Sequence, residues 1–380
     1  MIIRINKEVF KRKLKFFFVV LIALMIGFMF HVDRSMNMDF NRFQEIMDNV
    51  RYSQVSFTDF MADNSHLLKW LNVTLPFMYS FNTLVFWVSR LFENNYVIVW
   101  ISVVIDYSII AYIAYDWRSC FRYTRKEIIT SIIICYAFLP MIHVCSGLRT
   151  ATSACFMALA IYKFLYQGKS LLTFGVLIFI SVTFHPFTLF ALPIALVIRL
   201  SDKKIIFYIT FFGCLFISRI ATFFLNSGNV FLRALATKYV TYTDEGQFRA
   251  YRFAMYGVIV FSLIAIGYYF FIFRREDGFQ SRIINSNKSG RYQTNNENKL
   301  YLFLISYMAL LIGNVGSYEM VCRGGYIIGA AAPIMMSLFF RKNNGVNTVF
   351  AVMARIIMII LVMYMCISWT MYYYPYFISV

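Results

Sequence analysis

Long apolar runs recur along the chain, separated by short polar or basic stretches. A helix that crosses a hydrocarbon core about 30 Å thick needs roughly 17–25 apolar residues. Runs near that length lie at Leu14–Phe30, Tyr96–Tyr115, Ile128–Val144, Thr150–Tyr166, Leu171–Phe184 and Phe187–Ile198. Five more follow, at Ile205–Leu225, Phe253–Phe273, Leu300–Tyr318, Gly325–Phe340 and Val346–Ser368. A further run, Leu71–Leu91, is apolar enough to enter a bilayer but is interrupted by Asn72, Pro76, Asn82 and Arg90. The pattern predicts an all-α, polytopic integral membrane helical bundle.

Composition agrees. Of 380 residues, 60% are hydrophobic and 14% charged, against roughly 45–50% and about 25% in soluble domains. No soluble core could bury this surplus, so a secreted or cytosolic globular protein is excluded.

Charge then sets the orientation. The chain carries 36 Lys and Arg against 18 Asp and Glu, a net +18. In a soluble protein that would suggest nucleic acid, but no soluble domain with a basic-aromatic stripe is present. Basic loops instead mark the cytoplasmic side of a membrane protein. With the N-terminus inside and Leu71–Leu91 not crossing, the segments Arg4–Lys15, Arg118–Lys126, Lys163–Lys169, Arg199–Lys204, Arg274–Lys299 and Arg341–Lys342 all fall inside. Together they hold 23 of the 36 basic residues. The expected topology is therefore about eleven crossings, with Leu71–Leu91 re-entrant or interfacial. Lys7 to Lys15 ahead of Phe16–Phe30 copies a signal peptide, but His31-Val32-Asp33-Arg34 offers no small-residue cleavage site, so a retained first helix is expected.

One transmembrane domain, 1–380, is expected, with three polar excursions. An outer segment spans 31–95 and includes the re-entrant part; a second outer loop spans 226–252. The stretch 274–299 is Asn- and Ser-rich, nearly free of aliphatics, and reads as a cytoplasmic linker. No inverted repeat is legible, which argues against a transporter built from two halves. The seven cysteines are scattered through apolar runs without metal-ligand spacing, so no metal and no cofactor are expected.

Polar chemistry collects at the outer ends of the runs. His31, His66, His143 and His185 all fall there, as do Arg34, Asp39, Arg149, Arg249, Arg252, Glu319 and Arg323. Arginine at a helix end commonly snorkels to headgroups. These arginines, however, stand on the side where positive charge is disfavoured, and an anionic ligand would explain them. Guanidinium groups bind diphosphate bidentately. His185, in Phe184-His185-Pro186, is a candidate general base or acid, against the alternative of a structural histidine. Glu319 is a candidate base, against the alternative of a helical ion pair with Arg323. Asp106 and Arg355 lie inside apolar runs and need internal partners. There is no P-loop, no HExxH and no GxSxG, so any chemistry must be built from side chains at helix ends.

Gly147-Leu148-Arg149-Thr150-Ala151-Thr152-Ser153-Ala154, the turn Gln167-Gly168-Lys169 and the pair Phe184-His185 follow one another in order. Arg34 precedes Asn37-Met38-Asp39-Phe40-Asn41-Arg42-Phe43, and Arg323 opens a late helix. This order resembles the Wzy-type polysaccharide repeat-unit polymerases, in particular the EpsG-like branch. Four positions depart from that pattern. Thr150 stands for glutamine, Asn37 for glycine, Phe43 for tyrosine, and Phe187 for a small hydroxyl residue.

The resemblance implies a GT-C-like glycosyltransferase of the bacterial inner membrane. It would join undecaprenyl-diphosphate-linked oligosaccharide repeat units into O-antigen, capsule or exopolysaccharide on the periplasmic face. Arg149 and Arg323, with Arg249 and Arg252, would hold the diphosphate. His185 and Glu319 would be catalytic, and Arg34 and Asp39 substrate-binding. Donor and acceptor are lipid-linked glycans; a chain-length regulator protein is the further partner implied, and no nucleic acid. The alternatives are a flippase or transporter for the same lipids, or an O-antigen ligase.

Overall fold

Proline placement divides the apolar runs before packing does. The computed structural model describes residues 7–32, 39–53, 55–64, 67–70, 73–76, 78–121, 125–201, 203–229, 233, 236, 252–273, 288–340 and 348–373. The chain starts with α1 (Lys7–Phe28), followed by α2 (Asp39–Tyr52) and α3 (Phe57–Asn64) of the outer segment. A two-stranded antiparallel hairpin, β1 (Leu67–Trp70) and β2 (Val73–Pro76), then leads into α4 (Tyr79–Leu91). It is a small departure from the all-α expectation. At 13 residues, α4 is about 20 Å long, too short to span a bilayer.

Next come α5 (Val97–Phe121), α6 (Arg125–Phe138), the short α7 (Met141–Cys145) and α8 (Leu148–Ile161). Pro140 separates α6 from α7, because proline lacks an N–H and disfavours helix in the residue before it. A π-helical turn, Tyr162–Tyr166, ends α8, and Gly168 takes a positive φ of 63° as Lys169 N–H donates back to Lys163 C=O. Glycine closes a helix this way because it has no Cβ to clash there. After the cap at Ser170 come α9 (Leu171–Phe184), a 3-10 turn at Pro186–Phe190 and α10 (Ala191–Leu200).

The second half contains α11 (Lys204–Leu215), α12 (Ile217–Phe224), α13 (Arg252–Tyr268), α14 (Lys288–Gly313), α15 (Tyr318–Ala330), α16 (Ala332–Phe340) and α17 (Thr348–Tyr373). The linker expected over 274–299 is helical from Lys288 onward. Its polar turns extend α14, with Glu297 and Lys299 buried and Asn296 Nδ2 donating to Tyr166 C=O at 2.9 Å. Residues 274–287 lie outside the described set.

Among the described residues, Val97–Trp117, Arg252–Phe271 and Val349–Tyr372 are long and apolar enough to cross a membrane singly. Two bent pairs add to them: α11 with α12, turned through 72°, and α15 with α16, turned through 74°. Leu171–Phe184 and Pro186–Leu200 are apolar but shorter. The protein is a polytopic helical membrane protein whose spans are more broken than hydropathy alone suggests.

The centre of the bundle is α8. Eleven of its residues are buried, among them Ala151, Ala154, Ala158 and Ala160, and it packs on α5, α7, α9 and α15. Small side chains allow this close approach where lipid offers no hydrophobic drive. Gly329 of α15 does the same: a Cβ there would sit 2.9 Å from Leu139 Cβ. At the periphery, α17 buries one stripe, Ala351, Ala354, Met358, Val362, Met365 and Trp369, while Ile356, Ile360 and Met363 face outward.

Candidate functional site

Helices α2, α4, α9 and α15 pack around the first turns of α8. The turn after α9 is fixed first. Ser153, Ser181 and Thr188 are fully buried and hydrogen bonded to one another at 3.0–3.3 Å. Ser153 Oγ donates to Ser181 C=O at 2.7 Å and to His185 C=O at 3.0 Å. Thr188 Oγ1 also reaches His185 C=O, at 3.2 Å. The hydroxyl expected at Phe187 thus arrives one residue later. Buried hydroxyls with every partner supplied rigidify a turn, and this one pins His185 to α8.

Arg149 stands one turn N-terminal to Ser153 on the same helix. Its guanidinium lies over the rings of Phe43 from α2 and Phe81 from α4, at 5.2 and 5.9 Å to the centroids. Its Nη1 also donates to Met78 Sδ at 3.0 Å. Met78 caps α4 with a positive φ of 60°, rare for a side-chain-bearing residue. Ser80 joins Thr183 at 2.7 Å, and Phe81 meets Phe184 edge-on, so α4 lies against the end of α9 beside His185. The start of α4, in the run Leu71–Leu91, therefore packs beside Arg149 and the end of α9. Phe43, which departs from the tyrosine pattern, keeps the ring on which Arg149 rests.

Arg323 and Glu319 come from α15, capped by Ser317, whose hydroxyl accepts the Met320 N–H; Arg323, expected to open a helix, lies in its second turn instead. The pair is an i,i+4 ion pair at 3.1 Å, with Glu319 the less exposed partner. The electrostatic influence of Arg323 reaches both His143 and His185, and that of Arg149 also reaches His185. Arg149 and Arg323 thus both act on His185 through space, and Glu319 is held by Arg323. The structure adds His143, whose ring packs on Tyr326 and Trp369. Sequence reasoning had His143 at an outer helix end, the same signal as its neighbours, but gave it no role.

The protonation state of His185 follows from this setting. Burial first, then the guanidinium groups of Arg323 and Arg149, hold the imidazole well below its ordinary pKa. It is neutral at physiological pH. Its Nδ1 accepts the Phe187 N–H at 3.3 Å, which puts the ring proton of the neutral form on Nε2. Nε2 is then a hydrogen-bond donor on a ring that feels the charges of Arg323 and Arg149.

A family model described as the EpsG family matches residues 13–378, nearly the whole chain. The chain belongs to the EpsG family. EpsG-like proteins are Wzy-type polymerases, which makes this chain a member of a polysaccharide-polymerase-like, glycosyltransferase-like membrane family. No curated protein and no solved structure matches it.

The other expected residues of this EpsG-family chain are less central. Arg34 and Arg249 lie outside the described residues. Arg252 opens α13 and is exposed. Asp39 opens α2 and pairs with Arg42 across 4.0 Å, with both side chains largely exposed. Asp106, expected to need a partner, accepts from Thr152 Oγ1 at 3.2 Å, three residues along α8 from Arg149. Among the described residues, no group of three or more His, Cys, Asp or Glu is placed to hold a metal ion.

Proposed function

We propose that the protein joins undecaprenyl-diphosphate-linked oligosaccharide repeat units on the periplasmic face of the bacterial inner membrane. The reading includes about eleven crossings, a cytoplasmic N-terminus and a GT-C-like arrangement. The observation that carries it is that Arg149 opens α8 and Ser153 of the same helix holds a buried His185, whose imidazole is kept neutral by burial and by the charges of Arg323 and Arg149, in a Wzy-type polymerase family. The product would be O-antigen, capsule or exopolysaccharide, and a chain-length regulator is the expected protein partner.

In this reaction an acceptor hydroxyl attacks the anomeric carbon of the donor glycan. A C–O bond forms, the anomeric C–O bond to diphosphate breaks, and the lipid diphosphate leaves with the electron pair. Charge builds on the leaving oxygens, and fixed donors aimed there lower the barrier most. Arg149 and Arg323 neutralise that charge, and the N–H groups that open α8 add to the anion site. His185 donates from Nε2 to the same group. Glu319 takes the proton of the acceptor hydroxyl, while Arg249 and Arg252 steer the diphosphate inward and Arg34 and Asp39 hold sugar.

Gel analysis of surface polysaccharide from a deletion strain tests the reading. A single repeat unit on each lipid core supports polymerase activity. Bare core would favour a ligase or a flippase instead. The orientation has its own test, cysteine labelling of Ser286→Cys from the cytoplasm and Gly246→Cys from the periplasm. The reverse pattern at both would overturn it.

A further inference from the structure

Helix α2 carries two stripes. Phe40, Phe43, Met47 and Val50 enter the core, and Phe43 supports Arg149. Gln44, Asp48 and Arg51, spaced four and three residues apart on one helical face, line a separate cavity of about 400 Å³. Tyr52 and residues 93–96, between α4 and α5, complete its wall. Pockets that bind small ligands start at roughly 300 Å³.

The wall is braced before any ligand arrives. Arg51 donates to Asp48 Oδ1 at 2.9 Å, to Asn95 Oδ1 at 2.6 Å and to Phe92 C=O at 3.0 Å. Asn95 Nδ2 donates to Asp48 Oδ1 at 2.8 Å, closing the network. Behind the lining, Gln44 Oε1 and Arg51 Nε are buried with no hydrogen-bond partner among the described residues.

The lining chemistry selects the ligand. One guanidinium faces two carboxylates, Asp48 and Glu93, so the cavity does not favour a diphosphate. Its amides and carboxylates offer paired donors and acceptors that match vicinal hydroxyls. Tyr52 is 80% exposed at the rim, a flat amphipathic ring suited to the apolar face of a pyranose. We infer that this cavity is a saccharide-binding subsite, holding a sugar of the glycan away from its diphosphate end. The inference rests on the proposed polymerase only for where that sugar comes from. Because α2 contributes to both places, a glycan held here is tethered beside the Arg149 site.

The test uses the full chain in nanodiscs and oligosaccharides of one to three repeat units, released by mild acid from the host strain's polysaccharide. These probes carry no diphosphate. Binding is measured by saturation-transfer NMR and calorimetry. Wild type binds, and Tyr52→Ala combined with Glu93→Gln weakens binding at least tenfold. Both residues are exposed, so the change leaves the core intact. Unchanged affinity in the double variant, or no binding by wild type, overturns the subsite. A wild type that binds them yet never polymerises lipid-linked units refutes the polymerase and keeps the subsite. One that polymerises yet shows no binding refutes the subsite alone.

Discussion

Arg149 and Arg355 both sit half-buried in apolar surroundings, and their neighbourhoods differ in kind. Around Arg355, Nε donates to Phe339 C=O at 2.6 Å and Nη2 to Tyr268 Oη at 3.1 Å. Tyr268 in turn donates to the same carbonyl at 3.2 Å. That guanidinium fastens the end of α16 to α13 and α17. The neighbours of Arg149 include two phenyl faces and a thioether, from α2 and the start of α4. One arginine stitches the bundle, and the other rests on the rings of α2 and α4 and acts on His185 through space. An intramembrane arginine is thus a functional candidate only until its partners are known.

The largest predicted loss sharpens the active side of that comparison. Glu319→Gln removes the proposed base and should lower polymerisation by about 10²–10⁴-fold, at unchanged membrane insertion. His185→Ala removes a donor to the leaving diphosphate and should cost about 10²–10³-fold. Near-normal polysaccharide ladders from either variant would return that residue to a structural role.

On the structural side, Arg355→Met should lower the melting temperature in detergent while activity per folded molecule stays near wild type. Hydrogen bonds from charged groups contribute about 1.5–3 kcal/mol. A stable but inactive Arg355→Met protein would erase the distinction between the two arginines.

The smallest effect concerns pH. The pKa of His185 in the folded protein is depressed below its unfolded value. Its contribution to stability is therefore complete above about pH 6.5 and lost as pH falls toward the folded pKa. The melting temperature should drop between pH 7 and 5, and less so in His185→Gln. An equal slope in both proteins would contradict the buried neutral imidazole.

Much of this was legible in the sequence, for a physical reason. Arg149, His185, Glu319 and Arg323 stood out because charge at the outer ends of apolar runs is costly. The same rule said that Asp106 and Arg355 need partners. It could not say which: Thr152 is 46 residues from Asp106, and Tyr268 is 87 from Arg355. The bends in α11–α12 and α15–α16 were invisible too, because hydropathy averages across a break. The hairpin before α4 and the support of Arg149 by Phe43, Met78 and Phe81 depend on contacts between distant segments. Periodicity holds no record of those.

The central claim is that Arg149 grips a diphosphate with its planar fork. The direct measurement is the polymerisation rate of the purified full chain on lipid-diphosphate-linked repeat units, at matched protein levels. Arg149→Lys keeps the charge but loses the fork, and should fall roughly ten- to a hundredfold, as expected for a lost charge-assisted contact of about 1.5–3 kcal/mol. Full activity in both Arg149→Lys and Arg149→Ala would contradict the account.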